Sequence, residues 1–185
     1  MRFLKRLVIS TALLAGMGIA VAWYLLNASL ARLDGNALLD GLAGPVVVER
    51  DESGVTTIRG RNRTDLARAT GYVHGQERFF QMDLSRRQAA GELAALFGPL
   101  ALDADRGFRR HRFRSRAGQV LAAAAEQDRE LLSAYAEGVN AGLADLGARP
   151  WEYLILGNPP EPWRPEDSLL VLYSIFLELN DSHGN

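Results

Sequence analysis

The longest periodic stretch of the chain runs from about Thr64 to Ala90 and predicts one long helix with Thr64 as its cap. At 3.6 residues per turn, aromatic rings, an amide, a carboxylate and a guanidinium share one stripe. This stripe consists of Tyr72, Gln76, Phe79, Phe80, Asp83 and Arg87. Such a mixture indicates a helix buried against another layer, with its polar groups held by specific partners. Gly71 and Gly75 would let a neighbouring backbone approach that helix closely.

Two β-branched runs, Pro45–Arg50 and Val55–Gly60, predict a β-hairpin before this helix. Gly54 lies in the turn, where positive φ is required. An isolated hairpin is only marginally stable in water, so we expect the two strands to join a sheet supplied by another part of the protein.

Helical spacing recurs in the second half of the chain, over 117–125, 128–146 and 168–179. Pro165 lies near the start of the last of these helices. Residues 168–179 are apolar nearly all round, which predicts a buried helix. The overall pattern is therefore an α+β fold, mainly helical, with an N-terminal hairpin.

The stretch from Asp103 to Arg116 is rich in cations, and two interpretations of it stay open. The cationic residues are Arg106, Arg109, Arg110, His111, Arg112, Arg114 and Arg116. They could form an anion or substrate-carboxylate site, or belong to a solvated helix that braces acidic neighbours. The second is the usual meaning of a charge run.

Residues 1–35 form a separate segment, in which positive charges precede an apolar run over residues 7–26 and a linker that we expect to tether the following domain. The run is long enough to span a bilayer and long for a cleaved signal peptide. Ala20-Val21-Ala22 offers a cleavage site, whereas Trp23 and Tyr24 favour the interfacial end of a membrane helix. An uncleaved signal-anchor, a cleaved signal and a buried core helix therefore remain alternatives. Both exported forms place residues 36–185 outside the cytoplasm, in the periplasm, with an anchor in the inner membrane if the helix is retained.

The composition of the chain argues against several classes of function. A net charge of −1 with dispersed basic residues gives no support for nucleic-acid binding. The absence of cysteine excludes disulfides and thiolate chemistry. The sequence contains no P-loop, G-x-S-x-G or H-E-x-x-H motif, and the neighbouring Ser182 and His183 do not by themselves make a catalytic pair. A self-contained active site is therefore not predicted.

An ordered series of motifs resembles the α-chain region of the penicillin acylase family of N-terminal-nucleophile hydrolases, whose members include acyl-homoserine-lactone and cephalosporin acylases. The series comprises Arg50-Asp51-x-x-Gly54-Val55, Asp65-Leu66, Gly71-Tyr72-Val73, Gln76 to Asp83, Arg86-Arg87, Gly91, Phe97-Gly98 and the Tyr135-x-x-Gly138-x-Asn140-Ala141 run. Gly75 stands where the family commonly has alanine, and Glu77 where it commonly has aspartate.

The resemblance implies that a precursor is cut autoproteolytically into an α chain and a larger β chain, which together form an αββα fold. The N-terminal residue of the β chain, usually serine, would be the nucleophile, and its own α-amine the base. This chain would then hold no catalytic residue, and its partners would be the β chain and a small N-acyl amide.

By the same resemblance, Phe176 and Asn180 would line the acyl side of the cleft, although Phe176 could also be an ordinary core residue. Leu179 stands where some members have a substrate-contacting arginine, which implies a more apolar cleft. The family also implies a structural calcium ion, held mostly by the β chain, so no metal ligand is assigned. Asp181 is the nearest acidic candidate. The rival functions are a membrane-tethered helical binding module and a relative that has lost catalysis.

Overall fold

The computed structural model describes residues 2–180, which form helices and one short hairpin. The helices are α1 (Arg2–Ala28), α2 (Arg63–Glu77), α3 (Phe79–Ala90), α4 (Ala94–Phe97), α5 (Leu102–Arg109), α6 (Phe113–Ala123), α7 (Glu126–Ala144), α8 (Trp151–Leu156) and α9 (Asp167–Asn180). A 3-10 helix, Gly98–Ala101, joins α4 to α5. The strands are β1 (Val47–Arg50) and β2 (Thr56–Arg59). The prediction of a mainly helical α+β fold is confirmed.

The predicted long helix is in fact two helices, because the backbone of Arg78 leaves the helical region at φ −147° and ψ 26°. This break turns Phe79 into the core, where its ring lies against Tyr153 and Trp163. The predicted cap is also wrong. The side chain of Asn62, not Thr64, accepts a 2.7 Å hydrogen bond from the Asp65 amide at the start of α2.

Helices α2 and α7 pack backbone to backbone, as predicted for the glycine-rich face of α2. A Cβ added at Gly71 would lie 2.1 Å from the carbonyl oxygen of Tyr135. The contact is reciprocal, because α7 also presents glycines to α2. Equivalent distances of 2.0 to 2.2 Å hold for Gly75, Gly138 and Gly142 against the oxygens of Val139, Arg68 and Tyr72. Side chains larger than hydrogen would therefore force the two helices apart.

The hairpin is antiparallel, with Val47 opposite Arg59 and Arg50 opposite Thr56. Its turn has Gly54 at φ 78°, as predicted, and is closed by bonds to the Asp51 carboxylate. Strand β1 begins two residues later than predicted, and β2 is shorter than predicted by one residue at each end. Within residues 2–180 the sheet has two strands, which leaves both of its edges available for further pairing.

Helix α9 is not buried all round, so that prediction is wrong for this chain. Leu170 is fully buried against Ala89, Ala90 and Ala117. The opposite side of α9 exposes a contiguous apolar surface. This surface, the exposed α9 face, consists of Leu172, Ile175, Phe176 and Leu179. When nearly every position of a helix is apolar, the sequence does not show which side of the helix is buried and which is exposed.

The cation-rich stretch is divided between α5 and α6 by a turn in which Arg112 adopts φ 55°. Arg106 pairs with Asp103 on the surface, whereas Arg114 reaches Glu92 and Asp167. Most of the stretch is exposed, and Arg114 braces acidic neighbours. The structure therefore favours the second interpretation of this stretch.

Helix α1 contains a candidate membrane span, Phe3–Ala28, whose mean hydropathy is 1.9 and of which nothing is buried in the chain. Hydrogen bonds attach the end of α1 and the segment after it to the rest of the chain, so this segment is not a free linker. The amide of Ala148 donates a 3.0 Å hydrogen bond to the carbonyl of Ala28, and the amide of Ala43 donates to the Asp65 carboxylate.

Candidate functional site

The N-terminal end of α9 is fixed by the buried carboxylate of Asp167. It accepts hydrogen bonds from the guanidinium of Arg86 at 2.5 Å and from the amide of Arg164 at 2.8 Å. Arg114 donates to its other oxygen. The Arg86 side chain also donates to the carbonyls of Glu161 and Pro162, in the loop before the helix. The start of α9 is thereby bonded to α3.

A second buried carboxylate, Asp83 on α3, completes the network. Asp83 accepts hydrogen bonds from Arg86 at 2.7 Å, from Arg87 at 2.9 Å and from the hydroxyl of Tyr153 at 2.6 Å. Two buried carboxylates thus face two buried guanidinium groups, with Arg114 and Glu92 at the rim. Because the charges balance and the donors are used, burial of this cluster is tolerable.

The pKa values in this network follow from those contacts. Burial raises the pKa of the Tyr153 hydroxyl, and its bond to the Asp83 carboxylate raises it further. Burial opposes the charge of Arg114, but its bonds to Glu92 and Asp167 outweigh this and raise its pKa. Burial also opposes the charge of Arg87, but the carboxylates of Asp83 and then Glu161 outweigh this effect and raise the pKa of Arg87. Tyr153, Arg87 and Arg114 therefore keep their protons across the physiological range, which suits a structural role.

Phe176 and Asn180 lie one turn apart on α9, at the edge of the chain. Phe176 is 57% exposed within the described part of the chain. Asn180 is also exposed, and its amide nitrogen donates a 2.7 Å hydrogen bond to the carbonyl of Phe176. Their assignment to the acyl side of a cleft stays a prediction, because the other walls of such a cleft are not formed by residues 2–180.

Asn180 lines a cavity whose walls do not include Phe176. An open cavity of about 830 Å³ lies between α9 and α5, lined among others by Asn180, Leu177 and His111. Phe176 belongs instead to the exposed α9 face, beside Leu179. Asn180 therefore marks the boundary between the apolar face and this more polar cavity.

The histidines of the described residues are not paired with a serine. The Nδ1 atom of His74 lies 2.9 Å from the Tyr135 hydroxyl, and His111 stacks on Phe113. Burial, and then the neighbouring Arg78 cation, lower the pKa of His74. Asp181, Ser182 and His183 lie outside the described residues.

Residues 2–180 contain no group of three or more acidic or histidine side chains that could hold a metal ion. The buried carboxylates of Asp83 and Asp167 are occupied by guanidinium groups, and that of Asp105 by the amides of Leu93 and Ala94. This donor set does not fit a calcium site.

The sequence indicated that Asp83 and Arg87 need partners, but not which ones. Tyr153 and Asp167 were missed because they lie 70 and 81 residues from the side chains that they bind, Asp83 and Arg86. Asp167 lies in the first turn of a helix, two residues after a proline, where the helix dipole alone favours a carboxylate. Its position therefore gave no signal of a partner on α3.

Comparison with known proteins supports the resemblance. A family model described as penicillin amidase matches residues 45–185. The penicillin acylase 2 proenzyme of Pseudomonas sp. (strain SE83) is 40% identical over 152 residues, which are 82% of this chain and 20% of that protein. An acyl-homoserine lactone acylase QuiP, from Pseudomonas fluorescens (strain Pf0-1), is 37% identical over 134 residues, 72% of this chain and 16% of the relative.

A solved structure shares the fold. It is a thermostable penicillin G acylase from Alcaligenes faecalis, with a TM-score of 0.67 and 27% identity over 76% of each chain. In contrast, the chain spans only about a fifth of the length of the curated relatives that it matches.

Proposed function

Since the chain belongs to the penicillin amidase family, we propose that it is the α-chain portion of an exported N-acyl amidohydrolase that hydrolyses linear amides with an apolar acyl group. A β chain cut from the same precursor supplies the nucleophile, and this chain supplies one wall of the acyl pocket. The observation that carries the proposal is the exposed α9 face, which a buried ionic network holds in place.

The α9 face suits an acyl group because it is apolar and firmly positioned. Phe176 and Leu179 present hydrocarbon surface with no charged side chain between them on the face. Asp167 and Arg86 fix the helix at its N-terminal end, so the face cannot easily tilt. A wall of this kind binds acyl chains by removing apolar surface from water, at about 25 cal/mol per Å².

Catalysis in this proposal belongs to the β chain. An N-terminal serine can use its own α-amine as the base, because the reference pKa of an α-amine is about 7.7–8.0, near the working pH. The separation of pocket wall and nucleophile accounts for a chain of the family in which residues 2–180 bring no serine and histidine together.

A β chain would also cover the surfaces that this chain leaves open. The hairpin offers two free edges for further strands, and the exposed α9 face needs an apolar partner. Helix α1 would keep the assembled enzyme at the periplasmic face of the inner membrane. Any structural calcium ion would take its ligands mainly from the β chain, given the donor set of the described residues.

Substitution of Phe176 tests the pocket wall. In the complete processed protein, Phe176→Ala should lower kcat/KM for long apolar acyl amides about 30-fold, because removing a buried ring costs about 2 kcal/mol. The loss should be smaller for short acyl groups. The matched control is Leu100→Ala, at a leucine that is 94% exposed away from α9. An equal decrease in kcat/KM for short and long acyl groups, or no decrease, would show that Phe176 does not line the pocket.

A further inference from the structure

The junction between α1 and the rest of the chain is held by close contacts. Ala28 is the last residue of α1, and its carbonyl accepts a hydrogen bond from the amide of Ala148, in the loop that leads into α8. Ser29 is buried, and a side chain at Gly147 would meet Ala28 at 3.3 Å. The end of the candidate membrane helix is therefore fixed against the start of α8.

Apolar side chains are exposed around this junction. Trp151 and Ile155 lie one turn apart on α8 and are 45% and 75% exposed. Leu30 and Leu33, in the segment after α1, are also exposed, and with Trp151 they line a cavity of about 350 Å³. We call Leu30, Leu33, Trp151 and Ile155 the junction face.

The distance to the membrane follows from helix geometry. Trp23 and Tyr24, both exposed, are the residues of α1 expected at the headgroup level. Ala28 is five residues beyond Trp23, which is about 7.5 Å along the helix. Because Ala28 accepts a hydrogen bond from the loop before α8, a membrane-spanning α1 would bring the junction face close to the interfacial layer of the bilayer.

We propose that the junction face rests in the headgroup region of the membrane, as a second membrane contact beside α1. This proposal requires the retained anchor of the proposed function but not its hydrolytic activity. A tryptophan and aliphatic side chains are the residue types that favour this layer. Arg78, Glu77 and Glu152 line the cavity, and Glu77 is also paired with Arg50, so charges of both signs are present there and the contact should depend little on salt.

Site-specific labels test the contact in the complete protein reconstituted in phospholipid vesicles. Ile155→Cys carries a fluorophore, and Leu100→Cys carries the same fluorophore as the matched exposed control. The sequence of residues 1–185 contains no other cysteine, and the unsubstituted protein, labelled in parallel, gives the background from the rest of the reading frame. Quenching is measured with spin-labelled lipid and with aqueous iodide.

The proposal predicts that spin-labelled lipid removes most of the emission at position 155 and iodide little, with the reverse at position 100. Efficient iodide quenching at position 155 would overturn it. So would protection from both quenchers, which would mean that the β chain covers the junction face. N-terminal sequencing of the same sample is the separate test of the anchor, and an α chain beginning after Ala22 would overturn the proposal while leaving the hydrolase function unaffected.

Discussion

The contact between α2 and α7 gives the sharpest prediction about stability. Replacing Gly71 by alanine places a Cβ 2.1 Å from the carbonyl oxygen of Tyr135 and 2.9 Å from the amide nitrogen of Val139. A carbon–oxygen contact in proteins is about 3.3 Å or longer. Both neighbours are backbone atoms, so no side chain can rotate away, and the helices must separate by about 1 Å.

The magnitude is set by two opposing effects. Alanine favours a helix over glycine by about 1 kcal/mol. Overpacking of a close contact costs about 1–3 kcal/mol and occasionally more, and a 1 Å gap forfeits up to half of the dispersion energy of the atoms involved. The reciprocal contacts of Gly75, Gly138 and Gly142 would all be loosened together. We therefore expect Gly71→Ala to lower the free energy of unfolding by about 2 kcal/mol.

The assay is thermal unfolding of the complete protein, followed by circular dichroism at a fixed scan rate. The matched control is Gly118→Ala in α6, where an added Cβ meets nothing within 4 Å. The control should melt at or slightly above the wild-type temperature, and Gly71→Ala several degrees below it. Equal stabilisation by the two substitutions would refute the proposed close packing.

Three further outcomes follow from the structure. Asp167→Ala should destabilise the protein by about 3–5 kcal/mol in denaturant titration, because it leaves the buried cluster of Arg86, Arg87 and Asp83 with one uncompensated guanidinium charge, whereas Asp103→Ala, at an exposed pair, should change stability by less than about 1 kcal/mol. The pKa of His74 is lower in the folded protein than in the unfolded chain, so its contribution to stability is present above about pH 6.5 and is lost as the pH falls further. His74→Gln should therefore make the melting temperature less dependent on pH between about pH 7.5 and 5.5. A pH profile identical to that of the wild type would contradict this. Residues 36–185 expressed alone should aggregate or bind a hydrophobic dye, and a monomer that unfolds cooperatively would instead favour the tethered binding module.

The sequence was sufficient for features that depend on local pattern. The hairpin around Gly54 and the glycine-rich face of α2 were predictable because turn geometry and helix periodicity each leave a short signature. The break at Arg78 was not, since neither glycine nor proline stands there, and Phe79, the residue after it, packs against the rings of Tyr153 and Trp163, which are distant in sequence.

The architecture around the candidate site was not predictable from the sequence. Phe176 and Asn180 followed from the resemblance, and the structure adds that both are exposed at the edge of the chain. The carboxylate of Asp167, which fixes the helix that carries them, is bonded to a side chain 81 residues away. Such pairings are determined by the tertiary fold, and a single sequence contains no periodic signal for them.

The central claim is that residues 1–185 are the α-chain portion of an amidohydrolase whose nucleophile begins a second chain. The most direct test is to express the complete reading frame that contains this chain and to determine the intact masses and N-terminal sequences of the products. The account predicts two associated chains, the larger beginning with serine, or with threonine or cysteine as alternative nucleophiles. A single uncut chain, or hydrolysis of acyl amides by residues 1–185 alone, would contradict it.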